Sequence, residues 1–304
     1  MPAPRTTYVD PLLTNVSVGY TNESYVAERF FPTVYVDKET GIYFVKDKEN
    51  LRAPADARRG EFSRANRVSN VLSEASYTLE EKSLESPISE RVMRNYSDPF
   101  DPKKNATELV TEKLLIDNEK DLQTTILASA GVISDQGNAW STITTDIVGL
   151  SRTARNVIQK NTGRKANTVL IGKPALDVIL KNTAFLDSVK YTSIVNEEAL
   201  RNALAAWLDV KNVLIGEAVE NTAKEGQADV MDYIWTDVCI FAYVEPGAAL
   251  ERPTAGYRLV QKDARYVDTW YEQEIKTDFV RANDFYDNKV VDPNAMYAYT
   301  NVAT

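Results

Sequence analysis

The chain has 304 residues, 43% hydrophobic and 26% charged, with no histidine, one cysteine and a net charge of −9. That length and composition suit a globular chain with one large or two modest domains rather than a disordered one. The missing histidine removes the commonest general acid–base, the commonest transition-metal ligand and any Ser-His-Asp triad, while Cys239 alone supports neither an internal disulfide nor a Cys/His metal site.

The same figures speak to partners. An acidic chain is poorly suited to coating nucleic acid, because phosphate binding needs clustered cations. No run of about 18 apolar residues is present to span a bilayer. The start, "MPAPRTTYVDP", has no apolar segment behind a basic one and does not read as a secretory signal.

Residues 1–40 read as an extended arm, interrupted by proline at 2, 4, 11 and 32. Within it, "TNESYVAERFF" suits a short helix with Thr21 or Asn22 as cap and Glu23 in the first turn. "GIYFVKDK" alternates large apolar and polar residues as a strand does. Residues 48–66, "KENLRAPADARRGEFSRAN", read as a loop tip. Over 51–70, Arg52, Arg58, Arg59, Arg64 and Arg67 stand against Asp56 and Glu61, giving +3 there and −12 elsewhere. Such a tip is either a solvated loop or a surface that docks on an acidic copy of the chain. On the second reading these five arginines are the candidate inter-subunit contacts. The first part of "SEASYTLEEKSLESPISERVMRN" supplies a second strand, so 41–85 reads as one two-stranded flap. A flap of that kind cannot bury both faces within its own domain.

The strongest helix signal spans about 101–130. Asp101 is a good N-cap and Pro102 a good first residue. Ala106, Leu109, Val110, Leu114, Leu115, Ile116, Leu122, Ile126 and Leu127 supply the apolar positions of a rod roughly 40 Å long. A second helix is expected at about 145–161, ended by Gly163. Then follow a strand ("NTVLIG"), two helices ("KPALDVILKN" and "NEEALRNALAAWL") and another strand ("NVLIG"). The last third is strand-rich, through "VCIFAYV", "GYRLVQKD", the run 265–291 and "AMYAYT". The order is mixed α+β without a regular βαβ succession.

Tests for chemistry find little. Gly172 and Gly216 each follow a strand, but the further glycines of a dinucleotide fingerprint are missing. No phosphate loop of the form GxxxxGK[ST] occurs. The carboxylate pairs Glu80/Glu81, Glu197/Glu198 and Asp284/Asp287 read as solvated faces or strand edges rather than a glycosidase dyad. Trp270, Tyr271, Phe279, Phe285 and Tyr286 read as a packed sheet face rather than a stacking platform. Cys239, inside "VCIFAYV", reads as a buried thiol. No catalytic residue, cofactor or metal is expected.

An ordered set of stretches resembles the major capsid proteins of tailed bacteriophages, the family with the HK97-type fold. They are "LTNVSVGYTNESYVAERFFPTVYVDKETGIYFV", "YTLEEKSLESPISER", "DPFDPKKNATELVTEKLLIDNEKDLQTTIL", "TGRKANTVLIGKPALDVILKN", "VKYT", "VLIGEAVENTAKEGQ", "IWTDVCIFAYVEP" and "FYDNKVVDP". The resemblance implies an α+β, HK97-like capsid fold laid out in five parts. These are an N-terminal arm (1–40), an extended loop (41–85), a peripheral domain with the spine helix (86–164), an axial domain (165–255) and return strands to the peripheral domain (256–304). It implies a non-enzymatic homo-oligomer whose pentamers and hexamers tile an icosahedral head around double-stranded DNA, without sequence-specific binding and without a membrane. The setting it implies is the virion, assembled in the host cytoplasm. A portal and a decoration protein are expected partners. A separate scaffolding protein is expected as well, because the arm follows Met1 almost at once. The same fold builds encapsulin compartments, and the residues alone also allow an α+β enzyme without histidine; these are the competing readings.

Overall fold

The structure, a computed structural model, describes residues 8–20, 22, 24–46, 48–54, 56–59, 61–95, 101–190, 196–245, 247 and 254–303. The chain opens with strand β1 (Tyr8–Val9), helices α1 (Pro11–Gly19) and α2 (Ala27–Phe30), and strand β2 (Thr33–Val36). Strands β3 (Thr40–Lys46) and β4 (Leu72–Thr78) precede β5 (Glu80–Ser89), α3 (Glu90–Asn95) and the spine helix α4 (Pro102–Ser129). Next come β6 (Val132–Asp135), α5 (Ile147–Thr162), β7 (Thr168–Gly172), α6 (Lys173–Ile179), α7 (Thr183–Val189), α8 (Glu197–Leu208) and β8 (Asn212–Gly216). The chain closes with β9 (Val219–Asn221), β10 (Met231–Tyr233), β11 (Cys239–Ala242), β12 (Gly256–Gln261), β13 (Tyr266–Glu272), β14 (Thr277–Val290) and β15 (Met296–Thr300).

Two sheets carry the molecule. The larger runs β1-β13-β14-β12-β2, with β5 paired to β14 as its sixth strand. The smaller runs β6-β15-β11-β7-β8. Hairpins β3–β4 and β9–β10 stand apart from both. Strand β7 is buried along its whole length, as its unbroken apolar run requires of a central strand. It lies parallel to β8, and α6, α7 and α8 make the crossover between them. On that face, Ile147, Ala154 and Ile158 of α5 meet Leu176, Phe185 and Leu204 over Val169 and Ile171.

The spine helix joins the two sheets. Asp101 accepts hydrogen bonds from the Lys103 and Lys104 amides at 2.9 and 3.4 Å, with Pro102 at the first helical position. Its N-terminal half packs Ala106, Val110 and Leu114 on Ile88, Val267, Val280 and Ala282 of the larger sheet. Its C-terminal half packs Leu122 and Ile126 with Leu170, Ile240 and Ala298 of the smaller sheet. The helix also buries Thr107, whose hydroxyl donates to the Lys103 carbonyl one turn back, and Thr111, Asn118 and Glu119, which meet polar partners from the arm and the sheet. Asn118 Oδ1 accepts from Asn288 at 3.0 Å, and Thr111 donates to Ser17 at 2.9 Å.

The arm is more integrated than its proline content suggests. Phe30 and Phe31 are fully buried and stacked, and α2 sits on the spine helix. The helix expected over 21–31 is confined to Ala27–Phe30. Asn22 instead closes a turn onto the Ser24 amide at 3.0 Å, while Thr21 and Glu23 lie outside the described residues. A nine-residue helix, α1, precedes it unexpectedly. Asp10 caps it through the Leu12 and Leu13 amides at 2.9 and 3.2 Å, with Pro11 in first position. This is the Asp-Pro start that marks the spine helix, and it was there to be read.

Other boundaries also differ from expectation. The hairpin spans Thr40–Thr78, not 41–85. At Leu79, whose amide donates to the Glu39 carbonyl at 2.8 Å, the chain leaves the hairpin, and β5 pairs with β14. Helix α5 and strand β15 pack on the smaller sheet rather than with the spine-helix region and its return strands. The cause in β15 is its near-complete burial between β6 and β11, which leaves no solvent face.

Candidate intersubunit surface

The β3–β4 hairpin is built on an aromatic base. Tyr43 and Tyr77 point inward and pack with Val34, Val36, Tyr257 and Leu259 of the larger sheet. Gly41 faces Tyr77 across the ladder, where a methyl group would come within 2.6 Å of the phenol oxygen, so only glycine lets that ring lie flat. On the opposite face Ile42, Phe44 and Leu72 remain exposed. Beyond the last strand pair, Asn50 imitates one more rung. Its side chain donates to the Val71 carbonyl at 2.7 Å and accepts from the Val71 amide at 2.9 Å.

Past Asn50 the tip holds itself together with few contacts. Asp56 accepts the Arg58 amide at 2.8 Å, its carbonyl accepts Asn66 at 2.7 Å, and Arg59 Nε donates to the Ser63 carbonyl at 2.7 Å. One acid of the tip is thus spent on backbone geometry. Arg52, Arg58, Arg59, Arg64 and Arg67 are all exposed, and none forms an ion pair with a described residue. Among them Phe62 is 98% exposed and held at φ +65°, a left-handed conformation that costs a bulky residue energy. Val68 is 84% exposed. Sequence reading weighed the arginines and passed over these two apolar residues. The signal was a phenylalanine and a valine inside an otherwise polar run.

The arm side carries a second open feature. A groove of about 900 Å³ is lined by the apolar residues Val9, Pro11, Val18, Tyr35 and Val260. Charged residues of its lining are paired. Arg258, 4% exposed, holds Asp284 at 2.8 Å and Glu28 at 3.0 Å, and Arg265 holds the same two at 2.8 and 3.4 Å. Arg258 also lies over the Tyr286 ring at 4.6 Å.

The residues tested for chemistry have structural surroundings. Asp284 and Asp287 are an odd number of positions apart on β14 and so point to opposite faces. Glu197 pairs with Arg201 one helical turn on. Trp270 and Phe279 stack across the ladder at 5.2 Å, whereas Tyr286 is buried on the other face, so the aromatic residues form no single platform. A methyl on Gly172 would fall 2.0 Å from the Thr236 carbonyl oxygen, and one on Gly216 would strike the Trp235 ring. These glycines serve close packing. Cys239 is fully buried, and burial pushes its thiol far above the ordinary range. Among the described residues, no helix is long and apolar enough to cross a membrane.

No family model matches the chain. It is 28% identical over 308 residues to the major capsid protein of Burkholderia phage BcepMu, covering 97% of this chain and 96% of that one. It is 25% identical over 243 residues to the major capsid protein of Pseudomonas phage JBD67, covering 77% of each. A phage-related protein from Bordetella bronchiseptica RB50 superposes with a TM-score of 0.75 at 19% identity, covering 99% of both chains. The capsid of cyanophage P-SCSP1u superposes with a TM-score of 0.58 at 9% identity, covering 93% of this chain and 89% of that one. Likeness in sequence over nearly the whole length, on the HK97-type architecture of spine helix, two sheets and projecting hairpin, makes this chain a homologue of the phage major capsid proteins and a structural shell protein.

Proposed function

We propose that many copies of this chain close, as pentamers and hexamers, into the icosahedral head of a tailed phage around double-stranded DNA. The observation that carries this is the hairpin tip. Five exposed arginines that form no ion pair with a described residue, together with exposed Phe62 and Val68, project from an acidic subunit. Contacts between unlike patches on identical copies generate rings when the rotation closes. Charge complementarity then orients each encounter. In this reading Arg52, Arg58, Arg59, Arg64 and Arg67 meet acidic surface on the neighbouring subunit, with Phe62 inserted among them.

The role is mechanical rather than enzymatic, and its place is the virion, after assembly in the host cytoplasm. A separate scaffolding protein, a portal and a decoration protein complete the set of partners. Negative-stain microscopy of the purified protein tests the reading: closed particles are expected. A monomer or dimer under every assembly condition would refute it.

A further inference from the structure

Helix α5 and the turn after it carry Arg152, Arg155, Lys160, Arg164 and Lys165. No acidic residue occurs between 147 and 165, a local charge of +5 on a chain of −9. The helix buries Ile147, Ser151, Ala154, Ile158 and Thr162, which turns Arg152, Asn156, Gln159 and Lys160 to solvent. Arg155 is engaged by Asp209. The other four cations form no ion pair with a described residue.

The two basic surfaces of this subunit differ in kind. The hairpin tip mixes its arginines with exposed Phe62 and Val68, the apolar anchors of a protein interface. Helix α5 and its turn expose only polar and charged residues and a glycine, namely Arg152, Thr153, Asn156, Gln159 and Lys160, then Gly163, Arg164 and Lys165, with one exposed apolar neighbour, Leu51, at the Gly163 end. Cations interleaved with neutral hydrogen-bonding groups, without an apolar centre, suit a phosphate backbone. Arg152 and Lys160 lie about 12 Å apart along the helix axis, close to the width of the DNA major groove between its phosphate rims.

We propose that the α5 face is the surface this subunit turns toward packaged DNA, binding the phosphates of double-stranded DNA weakly and without regard to sequence. The proposal rests on the shell reading and adds to it an orientation: α5 faces the interior. Each copy contributes a few contacts, and the array multiplies them, so the −9 subunit as a whole need not adhere strongly.

The test uses the full-length protein as unassembled subunits, in which α5 is open to solvent, and a fluorescent duplex of about 30 base pairs of arbitrary sequence, titrated at several salt concentrations. If all four cations without an ion pair to a described residue contact phosphates, the slope of log K against log salt is expected near −3.6, a loss of roughly a hundredfold between about 50 and about 200 mM. The Arg152→Glu/Lys160→Glu/Arg164→Glu variant should lose that binding and its salt dependence while still forming particles. Arg164→Gln with Lys165→Gln, in the exposed turn beyond the helix, should show a partial loss and keeps the test informative if the triple variant misfolds. Undiminished duplex binding by variants that fold would overturn the assignment. Binding of poly-glutamate but not of the duplex would overturn it too, by assigning the face to an acidic protein. Microscopy in parallel separates the two levels: absence of particles from the wild type under assembly conditions refutes the shell reading, whereas unassembled wild-type subunits without duplex affinity refute this proposal alone.

Discussion

Glu119 and Trp235, 116 residues apart, are joined by a 2.6 Å hydrogen bond from the indole N–H to Oε2. The other carboxylate oxygen accepts the Val26 and Ala27 amides at 2.6 and 2.7 Å. One fully buried side chain of the spine helix therefore ties the arm to the segment that leads from β10 into β11. Glu119→Ala would leave three buried donors without an acceptor. It is expected to lower stability by about 3–5 kcal/mol, read as a shift in the denaturant midpoint. Glu119→Gln should cost less, since its oxygen still serves the two amides while its NH₂ opposes the indole donor. A midpoint unchanged in both variants would contradict this role.

The same carboxyl gives stability a pH dependence. Burial raises its pKa above the ordinary value of 4.5, outweighing the hydrogen bonds that act the other way. The folded state thus binds more protons than the unfolded state in the window above 4.5. The contribution is fully present below that value and is lost as pH rises through the raised one. Asp287, also raised by burial, acts in the same direction. Urea midpoints should fall across this window in the wild type and fall less steeply in Glu119→Gln. Parallel curves would show that Glu119 is not responsible.

Arg258, Arg265, Asp284 and Glu28 form a cluster with unequal members. Asp284 is buried with a 4% exposed side chain, whereas that of Glu28 is 48% exposed. Asp284→Asn leaves two guanidinium groups beside one remaining, half-exposed acid and should cost about 3–5 kcal/mol. Glu28→Gln should cost about 1 kcal/mol or less. Equal effects by thermal or chemical denaturation would sink the ranking.

Arg58→Glu with Arg59→Glu reverses two of five exposed tip charges while touching no core residue. Particle yield should drop, most at low salt, where charge contacts are least screened. The folded monomer should keep its denaturant midpoint. Particle counts identical to the wild type across salt concentrations would remove the tip from the assembly interface.

Gly172→Ala places a methyl against the Thr236 backbone, which has no flexible end to move aside. A loss of about 1–3 kcal/mol is expected from overpacking. A silent substitution would mean that the two segments separate easily.

How much of this was legible depended on whether the information was local. The spine helix, α5, α6, α8 and the strands at 168–172 and 212–216 announce themselves through caps, apolar periods and glycine stops such as Gly163 at φ +72°. Helix α1 carried the same local signal in Asp10-Pro11, hidden by the expectation that prolines only interrupt. Strand partnership was not legible. That β5 leaves the hairpin for β14, and that β15 joins the smaller sheet, depends on pairing across roughly 60 to 200 residues of chain, which no local pattern encodes. The tip arginines could be read as a charged segment. That they form no ion pair with a described residue, and that Phe62 turns outward, required the fold.

The spine helix has one further consequence. Its two halves belong to different cores, yet the helix between them is a single uninterrupted ladder of backbone hydrogen bonds from Pro102 to Ser129. A load applied at the hairpin base enters the larger sheet and reaches the smaller one along this rod, in addition to any sliding of packed side chains. Such a subunit resists stretching as a beam does and yields by tilting as a whole. If a shell of these subunits changes shape, the softness is expected in the joints between copies, while each copy travels as a rigid tile.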